Sequence, residues 1–171
     1  MDSHQLTFNL TYSILMEEMH QTLMGRVDRF CTFAQLILGC TVVVSVVPSW
    51  LTGGLMAILA GFQLVYQPSA RAMEAKIQKE RYYEIRRKSA VLGAEQLFDA
   101  LEAASPHDSA IPGSLTHPAW LAASLQLDLD IPIEKRKMSK LEKAFSFIAG
   151  NYPDLTPTNK PAEQSANLID S

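Results

Sequence analysis

Between Arg29 and Arg71 the chain carries no Asp, Glu, Lys or Arg. A stretch of this kind has few ways to fold. It is about twice as long as one helix needs to cross a hydrocarbon core, for which roughly 20 residues suffice. A single straight helix of that length would leave apolar turns in water. In its middle stands "SVVPSWLTGGL". There Pro48 disfavours helix through the residue before it, and Gly53 and Gly54 permit tight backbone geometry. Trp50 is of the type that settles in the headgroup layer. The stretch therefore predicts a two-span transmembrane hairpin: one helix over 30–47, a turn at 48–50 and a second helix over 51–67. Both arms are apolar on all faces, whereas a soluble core helix keeps one polar side. The competing reading is a buried hairpin in a soluble core, since each arm is short for a span.

Charge sets the orientation. Arg26 and Arg29 precede the first arm, while Arg71, Lys76, Lys79, Arg81, Arg86, Arg87 and Lys88 follow the second, and the turn is uncharged. Positive residues stay on the cytoplasmic side. The expectation is a multi-pass protein of the cell inner membrane with both termini cytoplasmic. Asp2, Glu17, Glu18 and Asp28 interrupt the first 29 residues, which lack the pattern of a cleavable signal. Cys31 and Cys40, about 13 Å apart on one helix, are too far apart for a disulfide and read as small buried hydrophobes. Asn9-Leu10-Thr11 fits a glycosylation acceptor by chance only, because it should face the cytoplasm.

Within the arms, Gly53, Ala57 and Gly61 recur every four residues and line one face with small side chains, a face that admits another helix closely. Thr41 and Ser45 give the first arm a weaker counterpart. The partner is either the first arm or another subunit. Gln35 and Gln63 fall at similar depth on opposite arms, where an amide needs a hydrogen-bond partner. Mutual pairing is the structural reading; lining a polar path in a homo-oligomer is the functional one. The spans hold no acidic or basic group for a proton relay.

The flanking parts read as an all-α cytoplasmic region. Residues 1–29 form an amphipathic helix through Ile14, Leu15, Met19, Leu23, Met24 and Val27. From Pro68 a helix runs on to Ala104 with only Gly93 as a breaker. Its stripe of Met73, Ile77, Ile85 and Leu92 pairs, in the manner of a coiled coil, with the N-terminal helix. Residues 105–117 form a loop, and "HPAWLAASLQL" starts a short helix anchored by Trp120. The segment "EKRKMSKLEKAFSFIAG" forms a basic amphipathic helix with Met138, Leu141, Ala144, Phe145 and Ile148 on its apolar side. It either lies on an anionic membrane surface or packs on the cytoplasmic helices. The cytoplasmic helical region thus spans 68–150, and the Pro-, Asn- and Thr-rich tail over 151–171 is expected to be disordered.

Chemistry is sparse. His4, His20, His107 and His117 are dispersed, no phosphate loop or nucleophile elbow occurs, and no cysteine pair suits zinc. Asp128 and Asp130 read as solvating or capping residues. No enzyme, cofactor or metal is expected. With a net charge of −3, and with Glu74, Glu80 and Glu84 beside or within the basic cluster of 81–88, no nucleic acid is expected either.

The order of parts resembles the SLATT group of small bacterial two-span proteins, and hairpin proteins of phages and prophages. The likeness covers Met19 to Ala104, with "QPSARAMEAKIQKERYYEI" opening the long helix and "IPGSLTHPAWLAA" following it. The resemblance implies a membrane effector that perturbs the bilayer when a cytoplasmic partner triggers it. The alternative is a non-permeabilising scaffold that recruits or excludes other proteins.

Overall fold

A computed structural model describes residues 3–44 and 48–153. Among them every regular element is helical. The expected end of the first arm at 45–47, including Ser45, lies outside the described residues, as does the tail beyond Pro153.

Helix α1, Ser3–Val44, is one continuous element. It runs unbroken through residues 29 and 30, where the sequence passes from amphipathic helix to apolar arm. Its only interior glycines are Gly25 and Gly39, it holds no proline, and a helix absorbs isolated glycines at about 1 kcal/mol each. Composition changes at Phe30 without any signal that would stop the backbone.

The turn expected at 48–50 is also corrected. Helix α2 already starts at Ser49 and runs to Tyr66, so Ser49, Trp50, Gly53 and Gly54 are all helical. Pro48 sits at the N-cap with φ −56° and ψ 129°. Its carbonyl accepts the backbone N–H of Leu51 and of Thr52 and the Thr52 hydroxyl. Proline belongs at such a helix start, where its missing N–H costs nothing. Gln67 takes the left-handed conformation (φ 44°) and donates its N–H to Gln63 O, closing α2. Pro68 then opens helix α3, Pro68–Lys88.

The helix expected to continue to Ala104 breaks at 89–93, and α4 covers Ala94–Ala104. A 3₁₀ turn at Ser105–His107 and another at Gly113–Leu115 lead into α5, Thr116–Gln126. Asp128 then turns back with φ 52°, a conformation Asp tolerates better than most residues. The last helix is shorter than its sequence suggests. Ile133–Arg136 is a 3₁₀ turn, and α6, Lys140–Ile148, begins only where Ser139 and Glu142 form a reciprocal capping box.

The N-terminal half of α1 is the centre of the bundle. Leu6, Leu10 and Ile14 pack with Tyr82 of α3 and with Leu97 and Ala104 of α4. One turn and more further on, Met19 and Leu23 pack with Leu115, Ala119 and Ala149. Leu15 meets Ala122 and Ala123 of α5, whose small side chains admit α1 closely. The expected face of α1 is thus the buried one, with Met24 and Val27 at its margin.

Two expected faces are revised. In α3 the residues turned to α1 are Ala75, Gln78 and Tyr82, while Met73 and Ile77 are exposed and Ile85 only borders the core. In and beside α6, Met138 before the helix, Phe145 within it and Ala149 at its C-cap face the bundle, while Leu141, Ala144 and Ile148 are exposed.

Candidate functional site

The apolar hairpin is the first candidate. Over residues 30–37 α1 turns large apolar side chains outward, namely Phe30, Phe33, Leu36 and Ile37. In α2, Trp50, Leu64 and Val65 are 78%, 75% and 72% exposed. Thr52 is the only buried residue of that helix. One helical stretch among the described residues, Ser49–Lys88, is long and apolar enough to cross a membrane, and α2 supplies its apolar part. This is a weak indication of membrane association, and it covers one span rather than the expected two.

Between the arms, Gln63 Nε2 donates to Thr32 Oγ1 at 3.4 Å. The expected Gln35–Gln63 pair does not form. The backbone register puts Thr32, one turn nearer the bundle, opposite Gln63. Thr41 donates its hydroxyl to Leu38 O within its own helix. Gly53, Ala57 and Gly61 are exposed, and a Cβ added at Gly53 or Gly61 would meet no atom within 4 Å. The small-residue face therefore does not serve the contact between α1 and α2. Cys31 is buried and Cys40 exposed, both as free thiols.

The basic residues flank this hairpin. Arg26 donates to Phe147 O at 3.2 Å and Ile148 O at 2.7 Å, so it satisfies carbonyls that end α6. Arg29 is exposed. Arg71 lies over the Tyr66 ring at 5.9 Å, and Tyr66 stacks on Phe62. Lys76, Arg81, Arg86, Arg87 and Lys88 are exposed and Lys79 half-buried along α3. Arg81 donates to Gln78 Oε1 at 3.2 Å.

The second candidate was not legible as a motif. Around residues 105–112, side chains from α1, α3 and α4 border an open cleft of about 580 Å³ lined by Tyr12, Ser13, Tyr82, Phe98, Glu102 and Asp108. Beside it a smaller one of about 240 Å³ is lined by Glu17 and Ser109. Asp108 Oδ1 accepts from Tyr82 Oη at 2.5 Å and from Gln78 Nε2 at 2.9 Å, and Gln78 also donates to Ala104 O. Burial and the neighbouring Asp108 carboxylate push the Tyr82 phenol well above its usual range. Ser109 N–H donates to Glu17 Oε1 at 2.9 Å.

Glu17 and His20 are each only 1% exposed. Glu17 Oε2 and both ring nitrogens of His20 have no hydrogen-bond partner among the described residues. Burial raises the Glu17 carboxyl above its ordinary value. Burial, with the Arg71 charge, lowers His20. Both shifts favour the neutral forms. This polar core sits on α1 about 20 Å along the helix axis from Phe30, at 1.5 Å per residue.

Among the described residues no group of three His, Cys, Asp or Glu can hold a metal ion. His117 is structural: Nδ1 is 3.3 Å from Glu142 Oε1 and Nε2 is 3.0 Å from Lys135 O, tying α5 to the segment around α6. His107 and Asp130 are exposed. Comparison with protein-family models, with curated proteins and with solved structures finds no match for the chain.

Proposed function

We propose that this is a small bacterial or phage inner-membrane protein that spans the bilayer twice, through residues 30–47 and α2, with both termini cytoplasmic. In this reading it is an oligomeric effector that perturbs the membrane under control of its cytoplasmic bundle. One observation carries it. α2 presents almost its whole apolar surface outward, next to the outward-facing Phe30, Phe33, Leu36 and Ile37 of α1. Exposed apolar surface of that extent requires lipid or protein around it. The basic residues on the bundle side of both arms support the orientation.

Oligomerisation rests on the unused face of Gly53, Ala57 and Gly61, where among the described residues a Cβ added at either glycine meets no packing neighbour within 4 Å. A lone hairpin cannot enclose a pore. Replacing Gly61 by Leu should shift the sedimentation profile in detergent towards monomer; a profile identical to the parent's defeats the assignment of this face. The continuity of α1 supplies a route of control, since one rigid helix joins the bundle core to the first arm. A trigger protein or ligand that repacks the bundle would act on the arms directly.

A scaffold that does not permeabilise the bilayer is the second reading. It is favoured by the scarcity of polar groups in the arms, where Gln63 is partnered by Thr32 and Thr41 bonds within its helix. A hydrophobic pore can still open by wetting. Induced expression in a bacterium, with membrane potential and growth followed together, separates the two. Rapid depolarisation that Gly61→Leu abolishes supports the effector. Membrane-inserted protein without depolarisation, in the presence of a candidate trigger, supports the scaffold.

A further inference from the structure

On the bundle side of the apolar arms, α1 and α3 leave a groove of about 650 Å³ between them. Arg26 and Arg29 line it from α1 and Lys76 from α3, with Thr22, Gln21 and Ser69 as uncharged polar neighbours. No carboxylate lines it, and among the described residues none pairs with these three cations. Three uncompensated positive charges converging on one cleft is an unfavourable arrangement in isolation, because like charges repel at close range. It becomes favourable when an anion sits among them.

The place of the groove narrows the anion further. Arg26 and Arg29 stand four and one residues before Phe30, where α1 first turns its apolar side chains outward. Ser69 follows Tyr66, the last residue of α2, by three. Tyr66 and Arg71 together make the aromatic–cation pairing typical of an interfacial layer. The groove thus opens at the level where a bilayer around the arms would put its headgroups. A second element reaches the same level. Arg26 holds the C-terminal carbonyls of α6, and Phe147, in that last turn, is 74% exposed. Arg26 spends one of its nitrogens on those carbonyls, and a guanidinium carries five N–H donors in all. The rest of that fork remains for a second acceptor.

We propose that this groove binds the phosphate of an anionic lipid headgroup, with Arg29 and Lys76 as its principal cations and Arg26 joining it to α6. Basic pockets between helices on the cytoplasmic side suit this ligand, at about 1 kcal/mol for each Lys or Arg near the surface. The proposal rests on the membrane reading above, and its test is chosen to separate the two.

The test uses the full chain purified in a zwitterionic detergent. Thermal unfolding is followed while short-chain phosphatidylglycerol, short-chain phosphatidylcholine or inorganic phosphate is titrated in, since a ligand of the folded state raises the midpoint by mass action. Phosphatidylglycerol should raise the midpoint and phosphatidylcholine should not. Arg29→Gln and Lys76→Gln, both at exposed positions, should keep the lipid-free midpoint and each weaken the apparent affinity about fivefold. Arg86→Gln, which removes the same charge outside the groove, should leave the affinity unchanged. Equal responses to the two lipids, or a full response in the Arg29→Gln/Lys76→Gln double variant, overturn the proposal. An equal response to inorganic phosphate alone overturns the lipid assignment in favour of a free phosphate. Recovery of the chain in the soluble fraction without detergent overturns the membrane reading instead. A chain that stays in the membrane fraction but ignores phosphatidylglycerol overturns only the groove.

Discussion

Tyr82, Asp108, Gln78 and Glu17 are the residues whose roles depend most on distant chain. In sequence, Glu17 is one acid among four near the N-terminus, and Tyr82 is one of a Tyr pair in a basic helix. Their partners lie far off: Ser109 is 92 residues from Glu17 and Asp108 is 26 from Tyr82. No spacing rule reaches that distance, so this core could not be read beforehand. Two consequences can be measured. Tyr82→Phe keeps the ring in place and removes the bond to a carboxylate, so it should cost about 1.5–3 kcal/mol in denaturant unfolding. An unchanged midpoint would show that the phenol does not hold Asp108. The pH dependence tests Glu17. Its folded-state pKa is raised above 4.5, so the stability it contributes is present at low pH and lost as pH rises through the folded value. Glu17→Gln should therefore stabilise the chain at neutral pH, with an advantage that shrinks as pH falls towards 4.5. His20 acts in the opposite sense. Its pKa is lowered from 6.5, so stability present above that value declines as pH falls below it. An advantage of Glu17→Gln that grows on acidification would contradict the assignment.

At the scale of elements, periodicity located the helices better than it located their faces or ends. The α1 stripe of Ile14, Leu15, Met19 and Leu23 is buried as its spacing predicts. In α3 the same logic chose Met73 and Ile77, yet the contact with α1 runs through Ala75, Gln78 and Tyr82. Here the close approach favours a small residue, and two polar side chains turn inward because the 105–112 segment gives them partners. Hydrophobicity alone points to the wrong side of such a helix. Ala75, fully buried, should not tolerate enlargement: Ala75→Leu should cost about 1–3 kcal/mol. Ile77→Ala, on the exposed face, should stay within about 0.5 kcal/mol of the parent. The reverse order would restore the stripe read from sequence. The start of α6 lies later than composition suggests, for a related reason. Lys and Arg residues before Ser139 are compatible with helix, but the Ser139/Glu142 capping box fixes the first turn at Lys140.

For the whole molecule, the charge-free run was the most legible feature, because its length and its lack of polar faces constrain the chain without long-range contacts. The all-helical architecture follows from the same patterning. The continuity of α1 has the same local origin, since the change from bundle to apolar arm alters composition but not backbone preference. The whole account depends on the apolar arms crossing a bilayer with the bundle inside. The direct measurement is cysteine accessibility in intact cells, with Cys31 and Cys40 replaced by Ser and single cysteines introduced at exposed Ser49 or exposed Ser105. A membrane-impermeant thiol reagent applied from outside should label Ser49→Cys and reach Ser105→Cys only after the membrane is opened. Labelling of Ser105→Cys in intact cells while Ser49→Cys stays protected would contradict the topology and the function built on it.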